Sequence, residues 1–380
     1  MSENNLNIQM VDLKSQYMKI KPQVDQVIND VLSSTQFING EHVKSFQNEL
    51  AAYLDVKHVI TCANGTDALQ ISMMALGLKP GDEIITPSFT YIATTEVIGL
   101  LGLKPVFVDC DPENFNISVD EVEKAITKKT KAIVPVHLFG QSSDMKSIMS
   151  LAKKYNLFVI EDNAQAIGSD YLGFNQPQKT GTIGNIGCTS FFPSKNLGCF
   201  GDGGAMMTND DELAKKLRMI ANHGQSKRYY HDIVGCNSRL DNIQAPVLRI
   251  KLKELDQYIL NRQKAANYYD QNLKNLDQLT LPFRNLDSNH VFHQYTLKLD
   301  DSIVRDELIQ YLADKNIPAM VYYPVPAHRQ KMFSKIPNSY GNMKVTNWLS
   351  SRVFSLPMHT ELSTLQQDYI IENISNFLNK

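Results

Sequence analysis

Nowhere does the chain run through about 18 consecutive apolar residues, so a membrane-spanning helix is not expected. The opening segment, MSENNLNIQMVDLK, is polar where a secretory signal would be apolar. Cysteine is scarce. The five residues Cys62, Cys110, Cys188, Cys199 and Cys236 are odd in number, irregularly spaced and without a Cys-x-x-Cys pair. That pattern argues against a disulfide framework and against a zinc site, and it suits a reducing cytosol. The nine histidines show no paired ligand spacing, so metal catalysis has no support. Charge of one sign is also missing: 38 Lys+Arg against 40 Asp+Glu leave a net charge of -2, with no basic tract to attract nucleic acid. Neither an internal repeat nor a low-complexity segment is present, which removes solenoids and linker-rich architectures. The expectation is a soluble cytoplasmic protein with neither nucleic acid nor membrane as partner.

What remains is an ordinary globular composition, 43 % hydrophobic and 21 % charged over 380 residues, enough for two domains with cores of their own. From about residue 40 to 210, short β-branched runs alternate with amphipathic stretches. The candidate strands are 58–62, 83–87, 105–109, 132–136, 158–162, 188–192 and 205–208. Seven such strands predict an α/β domain with a mainly parallel sheet covered by helices on both faces. Past residue 240 the texture changes to a long helix over roughly 239–277, an alternating run at 292–299, a helix near 302–315, a strand within PAMVYYP and a closing helix near 363–378. These predict a smaller α+β domain, with residues 1–250 in the large domain and 251–380 in the small one.

Open α/β sheets bind ligands beyond the carboxyl ends of their strands, so the residues following each strand matter most. After 58–62 comes Ala63-Asn64-Gly65-Thr66-Asp67, where a glycine lets the backbone approach a ligand and a helix start offers free N–H groups to an anion. The same residues also suit a plain strand-to-helix turn capped by Thr66 or Asp67. After 158–162 come Asn163, Ala164 and Gln165. Here Asp162 can face a cationic ring nitrogen and Gln165 a neighbouring ring substituent, or Asp162 can simply cap the next turn. The richest segment is 187–209. Seven of the nineteen glycines lie between 181 and 204, bending the backbone for close approach around Lys195. A partly desolvated lysine is suited to forming a Schiff base, whereas an isolated lysine is most often a solvated surface group. Pro193-Ser194 before Lys195 and Asn196 after it break the Walker A order, and GCFGDGG fails the dinucleotide spacing. A phosphate loop, an acid for a pyridinium nitrogen and a lysine in a glycine-rich connection are together the protein parts that pyridoxal 5'-phosphate (PLP) catalysis uses.

ANGTDAL, PSFTYIAT, VIEDNAQ, TSFFPSKNLGCFGDGGA and GCNSRLDNIQA resemble the DegT/DnrJ/EryC1/StrS family of sugar aminotransferases, over a span from VDLKSQY to SLPMHTEL. The resemblance implies the type I PLP-transferase fold and a homodimer with shared active sites. It implies Lys195 as the Schiff-base lysine and proton shuttle, Asp162 as the partner of the pyridine nitrogen, and Gln165 beside the cofactor's phenolic oxygen. Tyr91 would stack on the ring, with core packing as the other reading of that residue. Gly65, Thr66 and Ser190 would hold the phosphate, and Asn237 would reach it from the partner subunit. The amino donor implied is L-glutamate, with pyridoxamine 5'-phosphate as the alternate cofactor form.

For the acceptor, HGQSKRYYHDIVGCNSRLD is most similar to the branch that aminates UDP-2-acetamido-2-deoxy-3-oxo-D-glucuronate for O-antigen and other surface glycans. In that reading Arg228 and Arg239 are candidates for the sugar carboxylate or nucleotide phosphates, and a solvated surface loop is the alternative. Tyr322-Tyr323-Pro324 stands where that branch tends to show His-Tyr-Pro, which keeps open a dTDP- or UDP-linked 3- or 4-keto-6-deoxyhexose. His328 and His359, near the same motifs, are expected to pack or cap. The remaining rivals are a PLP-dependent sugar dehydratase, in which the lysine is typically replaced, and a non-catalytic regulator. Retention of Lys195, Asp162 and Gln165 speaks against both.

Overall fold

The computed structural model describes residues 6–379. Alternation of side chains along short apolar strands explains the central sheet, because each strand contributes residues to two different cores. In β1 (His58–Cys62) and β2 (Glu83–Pro87), Ile60 and Ile84 pack on one side while Val59 and Ile85 pack on the other. The series continues with β3 (Lys104–Val108), β4 (Thr130–Ile133), β5 (Phe158–Asp162), β6 (Ile186–Ser190) and β7 (Gly204–Thr208). Their order across the sheet is β1-β7-β6-β5-β4-β2-β3. Only β7 runs against the rest, pairing antiparallel with both β1 and β6.

All seven anticipated strands are present, with an eighth beyond them. Ser339–Tyr340, from the C-terminal third, adds parallel to β3 and makes the sheet eight-stranded. Two residues held by long-range pairing carry no periodicity that would reveal them. Conversely, the strand expected within PAMVYYP is absent: Met320 makes a single bridge to Ser355 and the rest is loop. Its apolar side chains pack against neighbouring aromatics instead of forming a ladder. The run at 292–299 shortens to the strand Tyr295–Leu299, which pairs with Leu279–Thr280 and with Val353–Leu356.

Helices α1 (Leu13–Ser34) and α2 (Glu41–Leu54) precede β1, where the sequence analysis placed none. In α2, Val43, Phe46, Leu50 and Leu54 recur three to four apart and make its buried stripe. The helices that follow strands are α3 (Gly65–Ala75), α4 (Ala93–Leu100), α5 (Val119–Ala125), α6 (Met145–Tyr155) and α7 (Asp211–Ala221). The long helix α8 (Gln244–Leu273) runs unbroken through residue 250. Its first turns, with Leu248, Leu252 and Leu255, share a core with Phe46 and Leu50. Its last turns, with Ala266, Tyr269 and Leu273, share one with Tyr295, Leu308 and Ile370. The C-terminal part is completed by α9 (Arg305–Asp314), α10 (Lys344–Arg352) and α11 (Thr364–Leu378).

One carboxylate fastens α10 to the sheet. Asp109, just past β3 and buried, accepts the Val345 N–H at 2.9 Å, the Thr346 N–H at 2.7 Å and the Thr346 hydroxyl at 2.7 Å. The first N–H groups of a helix lack intrahelical acceptors, so Asp109 caps α10 from a distant part of the chain. Asp109→Ala is therefore expected to lower the free energy of unfolding by about 2 to 3 kcal/mol, measured by urea denaturation.

Candidate active site

The carboxyl ends of β1, β5 and β6 and the start of antiparallel β7 lie side by side, because Gly204 pairs with both Cys62 and Ser190 while Asp162 pairs with Cys188. Gly65 opens α3 beside them. A Cβ on Gly65 would lie 2.7 Å from the Ser190 Cβ, and one on Gly204 would lie 2.4 Å from the Asn64 carbonyl, so these positions accept only glycine. The N-cap of α3 is Asn64, whose side chain accepts the Asp67 N–H at 2.8 Å; the expected caps Thr66 and Asp67 do not take that place. The carboxylate of Asp67 is instead bound by the Ser238 hydroxyl at 2.6 Å, and Ser238 in turn accepts the Ala63 N–H at 3.0 Å. The N–H groups of Gly65 and Thr66, at the positive end of α3, lack intrahelical acceptors and adjoin Ser190. Such an arrangement is built for an anion.

Glu161 and Asp162, consecutive on a strand, face opposite ways. Glu161 has no exposed surface and accepts from His137 Nε2 at 2.8 Å and from the backbone N–H groups of Gly181, Ile183 and Gly184 at 2.8, 2.7 and 2.6 Å. Asp162 faces the ligand side. Its Oδ2 accepts from the Thr94 hydroxyl at 2.7 Å and its Oδ1 from the Ala164 N–H at 3.2 Å.

Lys195 sits in the connection between β6 and β7, with its N–H on the Phe192 carbonyl at 2.8 Å. Burial of its ammonium lowers the pKa to about 8, and the negative charge of Asp162 opposes that shift. Close by, His293 is buried and held neutral, by desolvation first and then by the charges of Lys195 and Arg262. Its Nδ1 has no hydrogen-bond partner among the described residues.

Gln165 accepts the Phe139 N–H at 2.7 Å and donates to the Tyr323 hydroxyl at 2.9 Å. Burial raises the Tyr323 pKa, so the phenol keeps its proton. Its ring lies 6.1 Å from that of Tyr91 and 5.9 Å from that of Tyr322. Tyr91 is 58 % exposed and is not a core residue. The 322–328 segment is docked through Ser88, whose hydroxyl contacts His328 Nδ1 at 2.7 Å and whose carbonyl accepts the Ala327 N–H at 2.9 Å. His359 accepts the Glu361 N–H at 3.3 Å, a turn contact of the kind expected for it.

Three sequence-predicted residues lie apart from this cluster within the chain. Asn237 is exposed, in a backbone bridge with Asn222. Arg228 is exposed, its guanidinium over the Tyr229 ring at 5.1 Å. Arg239 lines a cavity of about 190 Å³ with Arg218, Asn39, Gln47 and Asn222. Thr94, Glu161, His137 and Ser238 were not among the predicted residues. Only Thr94 left a trace in the sequence, as the second of two threonines spaced four apart in FTYIAT.

Comparison with known proteins gives concordant results. The sequence profile of the DegT/DnrJ/EryC1/StrS aminotransferase family matches residues 18–375. A "Pleiotropic regulatory protein" of Geobacillus stearothermophilus is 45 % identical, over 98 % of this chain and 99 % of that protein. The UDP-2-acetamido-2-deoxy-3-oxo-D-glucuronate aminotransferase of Pseudomonas aeruginosa is 44 % identical, over 97 % of this chain and 100 % of its own length. The crystal structure of NtdA from Bacillus subtilis with bound cofactor PMP superposes with a TM-score of 0.89 at 30 % identity, covering 100 % of this chain and 87 % of that one.

The depressed pKa of Lys195 has a direct consequence in the cofactor-free chain. Its amine is expected to react with an acylating reagent with a midpoint near pH 8, well before lysines at the ordinary 10.5, as read by site-resolved mass spectrometry.

Proposed function

Because the chain belongs to the DegT/DnrJ/EryC1/StrS family of PLP-dependent nucleotide-sugar aminotransferases, we propose that it moves an amino group from L-glutamate onto UDP-2-acetamido-2-deoxy-3-oxo-D-glucuronate. The observation that carries the reading is one shared strand end: Lys195, lowered to about pKa 8, senses Asp162 there, beside the Gly65–Ser190 cradle. These residues fit the cofactor, since the cradle is closed to any Cβ and backed by a helix start, as a phosphate requires. Bound PLP supplies a reactive carbonyl and an electron-withdrawing ring.

The chain's own residues then divide the work. Gly65, Thr66 and Ser190 bind the phosphate, and Tyr91 offers its exposed ring as a stacking face. Asp162 keeps a proton on the ring nitrogen, while Gln165, fixed at both ends by Phe139 and Tyr323, still has one N–H to give the ring's phenolic oxygen. Lys195 Nζ takes and returns the proton at the substrate carbon. At pKa about 8, roughly a tenth of Lys195 is neutral at pH 7, against fewer than about one in a thousand for an ordinary lysine.

Tyr322 and Tyr323 line the sugar side, and Arg228 and Arg239 are the candidates for carboxylate or phosphate. Neither arginine touches the Lys195 cluster within one chain, and Asn237 is exposed. Their recruitment from a second copy fits a homodimer, and exposed Tyr229, Tyr230 and Val234 on the same segment offer apolar surface for it. The product would enter an O-antigen or other surface glycan. Tyr322, in place of the histidine usual in that branch, leaves a dTDP- or UDP-linked 3- or 4-keto-6-deoxyhexose as the second reading. The regulatory name of the Geobacillus relative does not favour a non-catalytic role here, since a regulator has no use for a lysine of lowered pKa opposite a buried carboxylate.

The test is the visible spectrum of PLP-loaded protein. Its band is expected to bleach with L-glutamate and return with UDP-2-acetamido-2-deoxy-3-oxo-D-glucuronate. Bleaching without return rejects this sugar, and absence of any band rejects Lys195. Lys195→Ala is expected to lose roughly 10² to 10⁴ in turnover.

A further inference from the structure

We infer that Thr94, oriented by Thr90, is a positioning residue that fixes the direction and basicity of the Asp162 carboxylate. The inference rests on reading Asp162 as the partner of the cofactor's ring nitrogen. An ionised carboxylate only accepts hydrogen bonds, so the 2.7 Å contact between Thr94 Oγ1 and Asp162 Oδ2 has the threonine donating. A hydroxyl has one hydrogen. With that of Thr94 committed, the 3.1 Å contact between the two threonine hydroxyls must have Thr90 donating to Thr94. The result is a directed chain from Thr90 through Thr94 to Asp162, and each donor polarises the next. Both threonines are buried, Thr94 completely, so water does not compete for these bonds.

The chain settles which carboxylate oxygen is occupied from behind. The only other contact to the Asp162 side chain among the described residues is the longer one from Ala164 N–H to Oδ1, at 3.2 Å. Thr94 therefore supplies the shorter of the two bonds and sets the carboxylate plane. It also draws charge from Oδ2, which weakens the hold of Asp162 on a proton. A ring nitrogen facing that carboxylate then keeps its proton. Without the donor, the proton shifts toward Asp162 and the ring withdraws electrons less. Thr90 and Thr94 flank the entry to α4, and Tyr91 lies between them, so one turn both presents the exposed aromatic and holds the buried acid.

The experiment compares Thr94→Val, Thr94→Ser and Thr90→Val with wild type. PLP affinity is measured by equilibrium dialysis, and ring-nitrogen protonation by nitrogen NMR of isotopically labelled PLP bound to the protein. Thr94→Val is expected to bind PLP about tenfold to a hundredfold more weakly. Its ring-nitrogen resonance should move toward neutral pyridine, with the KM for sugar unchanged and kcat reduced. Thr94→Ser should restore both readouts, and Thr90→Val should shift the resonance the same way by less. A role in packing alone would change affinity without moving the resonance. Wild-type affinity and resonance in Thr94→Val overturn the inference. If Thr94→Val does not fold, an unshifted resonance in Thr90→Val overturns it instead. Wild-type protein that binds no PLP overturns the reading of the site itself, a result distinct from a wild type that binds and variants that match it.

Discussion

A carboxylate sealed from water must draw all its hydrogen bonds from the protein, and Glu161 does so from two separate loops. His137 Nε2 reaches it from the loop after β4, and the N–H groups of Gly181, Ile183 and Gly184 reach it from the segment leading into β6. The histidine's other nitrogen accepts the Ser143 N–H at 3.1 Å, which makes Nε2 the protonated one. This hub locks the end of β5 in one orientation. Strand alternation then turns the next residue, Asp162, toward the opposite face, where Thr94 and Ala164 receive it. The placement of the ligand-facing acid therefore follows from the satisfaction of the structural one.

The glycines between 181 and 204 follow from the same crowding. A Cβ at Gly187 would lie 1.9 Å from the Gly181 carbonyl oxygen, so β6 can pass the loop that feeds Glu161 only without a side chain. The connection bearing Lys195 then has little room, and the desolvation that lowers the lysine's pKa is a result of that packing.

The C-terminal part closes the site without contributing to the cradle. Buried Arg262, on α8, donates to the carbonyls of Phe292 and Met358, each at 3.0 Å, and ties that helix to the segment containing His293. Ser88 and His328 hold the 322–328 loop so that Tyr323 meets Gln165. Tyr91, Gln165 and Tyr323 come from three distant parts of the chain, and their meeting depends on this docking.

Period-two alternation and apolar runs are local properties, so the seven strands, the long helix and the closing helix were legible from residues alone. So were Gly65, Asp162, Gln165, Ser190 and Lys195, because each follows or sits between strands in an unusual local context. The missing PAMVYYP strand and the unexpected Ser339–Tyr340 strand show where that reasoning stops: pairing depends on a partner distant in sequence, and Met320 finds only one bridge while Tyr340 finds β3. The N-cap Asn64, the Glu161 hub and the Thr94 bond to Asp162 were likewise decided by tertiary structure. The sequence by itself determined the fold class and which residues carry the chemistry, since both are written in short-range pattern. Which hydrogen bond each of those residues makes was decided only when strands from distant segments were brought to one edge, because a hydrogen bond requires its partner within about 3 Å.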